Sequence, residues 1–215
     1  MLFALEVRQD HDKRSKALRM AISKLPPFIR EHYEVHEWRH ALAVLRQDFP
    51  VEYSDICAVL EGFRLNKSWI AVGGGRKSKV SDWIDKELGK KGWRPKNFDT
   101  KISVDQQVLE SPTHEIDCFK NRVALEIEWN NKDPFFDRDL NNFRLLFDLR
   151  AISVGIIITR CDELQDIFDD LGRGSSYGAS TTHMSKLLPR IQGGGGAGCP
   201  ILVFGIRKSL YAKGH

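Results

Sequence analysis

The sequence lacks several things that would place it in familiar classes. It has no apolar run of bilayer length and no signal-peptide pattern at its N-terminus, so a soluble cytoplasmic protein, away from membranes, is expected. Its four cysteines, Cys57, Cys118, Cys161 and Cys199, are widely separated with no C-x-x-C pair. That excludes a disulfide or zinc framework and predicts reduced, mostly buried thiols. No internal repeat or heptad is present. Gly73-Gly74-Gly75, followed by Arg76, Lys77 and Lys79, lacks the spacing of a P-loop or a dinucleotide fingerprint and reads as a flexible basic loop. Nor is charge of one sign in large excess: 33 Lys and Arg against 29 Asp and Glu leave a net +4, which permits nucleic acid without requiring it. What remains is 215 residues, 41% of them hydrophobic, enough for one domain with a real core.

Periodicity orders the chain. Met1 to Val7 is an apolar opening of strand type, and Asp10 to Leu25 carries Ala17, Leu18, Ala21, Ile22 and Leu25 at helical spacing until Pro26-Pro27 stops it. Val35, Trp38, Leu42 and Leu45 predict a second helix over Phe28 to Phe49, and a third spans Ser54 to Gly62 with the glycine as C-cap. Trp69 to Val72 is a short apolar piece. Ser81 reads as the N-cap of a helix running through Trp83, Ile84 and Leu88 to Gly89 or Gly92. Ile102 to Val108 alternates as a strand, Phe135 to Leu149 has helical spacing, and Met184 to Ile191 forms a short helix. Val154 to Thr159 and Ile201 to Ile206 are apolar runs expected to be strands buried on both faces. The sum is an α/β domain around a central mixed β-sheet flanked by helices. Residues 1–215 read as one domain, with a catalytic core over 52–206 and a helical part over 1–51 to which no role is assigned.

The stretch Glu115 to Trp129 carries the chemistry. It reads as two extended segments joined by a turn at Lys120-Asn121-Arg122. In the second segment Val123, Leu125, Ile127 and Trp129 share one face of a half-buried strand, and Ala124, Glu126 and Glu128 the other. Two carboxylates on a strand are costly without a cation, and Asp117 can add a third across the hairpin. Three converging carboxylates suit a hard divalent cation such as Mg2+. Phosphodiester hydrolysis needs an activated water and positive charge on the leaving side. Asp117 would bridge metal ions, Glu126 would complete the first site, and Glu128 would ligate or help deprotonate the attacking water. Glu115 and Glu110 are further upstream acids, and His114 and His183 remain without a role.

The order of these pieces resembles a known family. The spacing D-x8-E-x-E, the string Phe119 to Trp129 and the polar loop after it look like the BglII/BstYI group, type II restriction endonucleases of the PD-(D/E)XK superfamily. The likeness continues in Ile84 to Leu88 with Gly92-Trp93, in Phe143 to Phe147, in Val154 to Ile158, in Gly174-Ser175-Ser176-Tyr177 and in Pro200 to Ile206. It covers most of residues 52–206. The resemblance implies a restriction-endonuclease-like fold and a homodimer that hydrolyses both strands of double-stranded DNA within a short palindrome, using magnesium. It carries Asp117, Glu126 and Glu128 over as catalytic and metal positions, although family members often have glutamine in place of Glu128. It places Asn130, Asn131 and Lys132 in one DNA-binding loop, and Arg173, Ser175 and Ser176 at a second. Amide side chains read adenine, and hydroxyls contact several bases. Arg76, Lys77, Lys79, Arg138 and Arg144 are further phosphate candidates.

Three other readings compete. A repair or structure-specific nuclease would keep the same fold and site, and a DNA-binding module with a degenerate site would bind without cutting. His36-Glu37-Trp38-Arg39-His40 is formally H-E-x-x-H on a predicted helix, the zinc-protease pattern. Arg39 within the motif and the lack of a third ligand at metzincin spacing count against it.

Overall fold

The computed structural model describes residues 22–71 and 77–212. The expected opening strand, most of the helix from Asp10 and the triple-glycine loop lie outside the described residues. The elements in chain order are α1 (Pro27–His32), β1 (Tyr33–Trp38), α2 (Ala41–Asp48), α3 (Pro50–Gly62), β2 (Leu65–Asn66), α4 (Lys67–Ala71), α5 (Lys79–Lys90), β3 (Arg94–Lys96), β4 (Asp99–Val104) and β5 (Gln107–Pro112). They continue with β6 (Ile116–Lys120), β7 (Val123–Ile127), α6 (Phe135–Asp148), β8 (Val154–Arg160), α7 (Gln165–Asp170), α8 (Met184–Gln192), β9 (Ile201–Ile206) and β10 (Tyr211–Ala212).

A six-stranded mixed sheet of order β1-β9-β8-β7-β6-β3 forms the centre, so the expected α/β class with a mixed sheet holds. β7, β8 and β9 run parallel, while β6 and β1 are antiparallel to their neighbours. The three parallel strands are buried along their whole length, as their β-branched composition requires when helices cover both faces. One face, with Val123, Leu125, Ile127, Val154, Ile156 and Ile158, packs in a core with residues of α2, α3 and α5. The opposite face, with Ala124, Ile157, Ile201 and Val203, packs against α6 and α8.

Several sequence expectations need correction. The helix expected over Phe28 to Phe49 is a helix, a strand and a helix. Tyr33 to Trp38 extends because β9 offers it an antiparallel partner from Tyr33–Ile206 to Trp38–Ile201. The helical spacing of Val35 and Trp38 was coincidental; Tyr33 and Val35, two apart, are the buried pair. His36 and Glu37 therefore point to opposite sides of a strand, and His40 sits in a left-handed turn with φ 58°. His36 is hydrogen-bonded to Glu34, and Glu37 accepts the Leu42 N–H, so the helix that a zinc-protease motif needs is absent. The strand expected over Ile102 to Val108 is the hairpin β4–β5, turned at Asp105, whose φ is 54°. The cap of α5 is Ser78, whose hydroxyl accepts the Ser81 N–H, so Ser81 lies inside the helix. β7 is buried on both faces and not half-buried, because α6 roofs its acidic side.

Two local devices set where that roof sits. The β6–β7 hairpin has a two-residue loop, Asn121-Arg122, both at positive φ, as a type I′ turn demands. Beside it, Ala124 and Gly155 are register partners on neighbouring strands, a small-residue hollow under α6. A Cβ on Gly155 would overlap the buried ring of Phe143. Gly155→Ala should therefore destabilise the protein by about 1–3 kcal/mol through overpacking. Thermal denaturation checks this, and an unchanged midpoint would show that α6 does not depend on that hollow.

Candidate active site

The hairpin register places Asp117 directly opposite Glu126, since Cys118 pairs with Leu125 and the strands are antiparallel. Opposed residues share a face, and Glu128, two residues on, shares it too. The three expected carboxylates thus meet on the sheet face covered by α6. Asp117 is half-buried, and its Oδ2 accepts the Ile127 N–H at 2.9 Å. Glu126 and Glu128 are each 1% exposed. Glu126 Oε2 accepts the Asp117 N–H at 3.2 Å, and its Oε1 is buried with no hydrogen-bond partner. Glu128 lies just past β7, with its N–H on the Ile158 carbonyl at 2.9 Å.

A fourth acid closes the site from above. Asp139, on α6, is wholly buried; its Oδ1 accepts from Arg138 Nε at 3.0 Å and Nη2 at 2.9 Å, while its Oδ2 has no partner. Arg138 also reaches Glu128 Oε1 at 3.5 Å. Sequence reasoning missed Asp139, although a signal existed. It lies three residues after Phe136 and four before Phe143, on the apolar stripe of the helix, where a charged residue needs a reason.

Electrostatics follow from burial. Removal from water raises the Glu126 pKa well above the usual carboxylate range, and the charges of Asp139 and Asp117 raise it further. Burial likewise raises Glu128, helped by Asp139. Asp139 is raised by burial against the opposing pull of Arg138.

The other expected residues fall around this cluster. Asn130, Asn131 and Lys132 follow Glu128 directly. Asn131, an exposed residue, donates a side-chain N–H to Glu128 Oε2 at 2.9 Å and so supports the carboxylate. Asn130 buries its Oδ1 without a partner, and Lys132 is exposed and bridged to Thr181. Arg173 is half-buried with an unpartnered Nε, next to the exposed Ser175 and Ser176 in a single 3-10 turn, Gly174–Tyr177. The structure brings the loops at 130–132 and 180–182 together. Glu115 instead turns outward to Asn97. Arg138, a phosphate candidate from sequence, belongs to the carboxylate cluster, and Arg144 is exposed and bonded to Asn141.

A family model for restriction endonuclease BglII/BglIII matches residues 33–206. The chain belongs to that family. A search of curated proteins returned no match. Membership makes this a type II site-specific deoxyribonuclease whose substrate is double-stranded DNA. The match begins at Tyr33, so it takes in β1, at the edge of the same sheet that carries the carboxylates. Among the described residues no helix is long and apolar enough to cross a membrane.

Restriction endonucleases of this kind are generally divalent-metal dependent. The donor set fits a hard cation: the candidate donors are all carboxylate oxygens, and Glu126 Oε1 and Asp139 Oδ2 are buried without partners. Among the described residues, however, no three His, Cys, Asp or Glu side chains converge on one ion position. Glu126 Oε2, Asp117 Oδ2 and Glu128 Oε2 instead accept from the N–H groups of Asp117, Ile127 and Asn131.

Because the folded-state pKa of Glu126 lies above its unfolded value, the metal-free folded protein holds extra protons from about pH 4.5 upward. Its stability should therefore fall as pH rises through that window. Glu126→Gln should flatten the fall, leaving the EDTA-treated variant at least about 1 kcal/mol more stable than the parent on the alkaline side. Denaturation midpoints across pH in EDTA test this, and parallel curves for the two proteins would refute it.

Proposed function

We propose that the chain is a magnesium-dependent homodimeric restriction endonuclease that cuts both strands of DNA within a short palindrome. The whole chain acts as one endonuclease domain in the cytoplasm. The observation that carries the reading is the opposition of Asp117 and Glu126 across the hairpin, with Glu128 beside them, in a chain of this family. Asp117 and Glu126 hold the magnesium ion, which supplies positive charge to the scissile phosphate when bound. Glu128 accepts the proton of the attacking water at Oε1, in the place where relatives often have glutamine. In this reading Lys132, Arg173, Ser175 and Ser176 contact the DNA, and Asn130 lies between them and the carboxylates.

Plasmid and genomic DNA incubated with magnesium should give discrete fragments, and EDTA should abolish them. Asp117→Ala and Glu126→Ala should each lower the cleavage rate by about 1,000-fold or more. Sequencing the fragment ends should return one palindrome, and sedimentation should give twice the mass of one chain. Uncut DNA under every divalent cation tried would remove the reading, and cuts that follow DNA structure instead of sequence would favour the repair-type nuclease.

A further inference from the structure

The two loops beside the carboxylates are joined as a short antiparallel ribbon. The Asn131 N–H donates to Thr182 Oγ1 at 3.2 Å, and the Thr182 N–H donates to the Asn131 carbonyl at 2.9 Å. Lys132 bridges Thr181, and the Asp133 N–H reaches the Ser180 carbonyl at 3.0 Å. Thr182 is wholly buried, so its hydroxyl is set apart from solvent and from DNA.

The far end of the ribbon is anchored as firmly. Arg160, at the end of β8 and 1% exposed, donates from Nη2 to the Tyr177 carbonyl and to Thr181 Oγ1, both at 2.8 Å. Its guanidinium also lies over the rings of Phe168 and Tyr177, which stack on each other at 4.0 Å. The turn bearing Ser175 and Ser176 is therefore fixed to the sheet, and through Thr181 and Thr182 to Asn131. Asn131 in turn holds Glu128 Oε2. A continuous chain of contacts runs from the turn at Gly174–Tyr177 to the carboxylate.

Asn131 gives one of its two side-chain N–H groups to Glu128, which fixes the orientation of its amide toward that carboxylate. We infer that Asn131 is a positioning residue for Glu128 and that Thr182 holds it there, so that the placement of the Ser175-Ser176 loop on DNA sets the carboxylate for reaction. This rests on the role of Glu128 given above. Discrimination between right and wrong sequences then falls on the chemical step more than on binding, because a loop displaced by a wrong base pair moves the amide that holds the carboxylate.

The test uses the full-length wild-type protein and the variants Thr182→Val, Thr182→Ser and Asn131→Ala, with the duplex found by end sequencing. Affinity is measured in EDTA, and single-turnover cleavage with magnesium at the recognition site and at a site with one base pair changed. Thr182→Val and Asn131→Ala should bind the duplex within about threefold of wild type yet cut it ~10–100-fold more slowly, as loss of a supporting contact to a ligand or base does. Their preference for the right site should shrink by about tenfold. Thr182→Ser, which keeps the hydroxyl, should cut like wild type. Loss of affinity by tenfold or more in Asn131→Ala would overturn the inference and make this residue a base reader. Equal damage from Thr182→Ser and Thr182→Val would overturn it as mere packing, as would wild-type rates in Thr182→Val. A wild-type protein that cuts no DNA would instead overturn the function proposed above.

Discussion

Everything in this structure depends on burying negative charge in a place where negative charge is costly. Glu126 and Glu128 sit on the central sheet with a helix over them, and Asp139 enters from that helix. An uncompensated buried carboxylate costs several kcal/mol even after relaxation. The fold offsets this in part with three N–H donors and Arg138. It leaves two oxygens with no partner. A site tuned only for stability would carry apolar or amide side chains at these positions, so the acids mark the cluster as a candidate functional site.

The rest of the fold can be read as support for that arrangement. The I′ turn at Asn121-Arg122 sets the register that opposes Asp117 to Glu126, and a slip of one residue would send Glu126 to the other face. Lys120 and the Trp93 indole both donate to Asp55, at 2.8 and 3.1 Å, pinning the turn end of the hairpin to α3. Ala124 and Gly155 leave room for Phe143, which brings α6 close enough for Asp139 to reach the glutamates. Arg160 performs the same service for the loops, replacing a flexible segment with one tied to β8.

The core strands and the three carboxylates were legible because their signals are local. A β-branched run such as Val154 to Thr159 has one economical fate, and an E-x-E on an alternating segment places both acids on one face whatever surrounds it. β1 was not legible. Its residues satisfy helical spacing as well as strand spacing, and only the presence of β9, more than 160 residues later, selects the strand. The hairpin at Asp99 to Pro112 was misread for a related reason: alternation continues across its tight turn, and Asp105 marks the turn only by its backbone.

By itself, then, the sequence determined the α/β class, the core strands of the sheet, and which three acids share one face of the hairpin, since period and spacing survive any packing. The tertiary structure decided what those acids experience. It alone supplied the roof of α6, the fourth carboxylate, the clamp of Arg138 and the ribbon that joins Asn131 to Thr182, because each depends on contacts between residues far apart in the chain. It also decided that His36 and His40 do not share a face. Pairing energy across a sheet is non-local, and no window along the chain contains it.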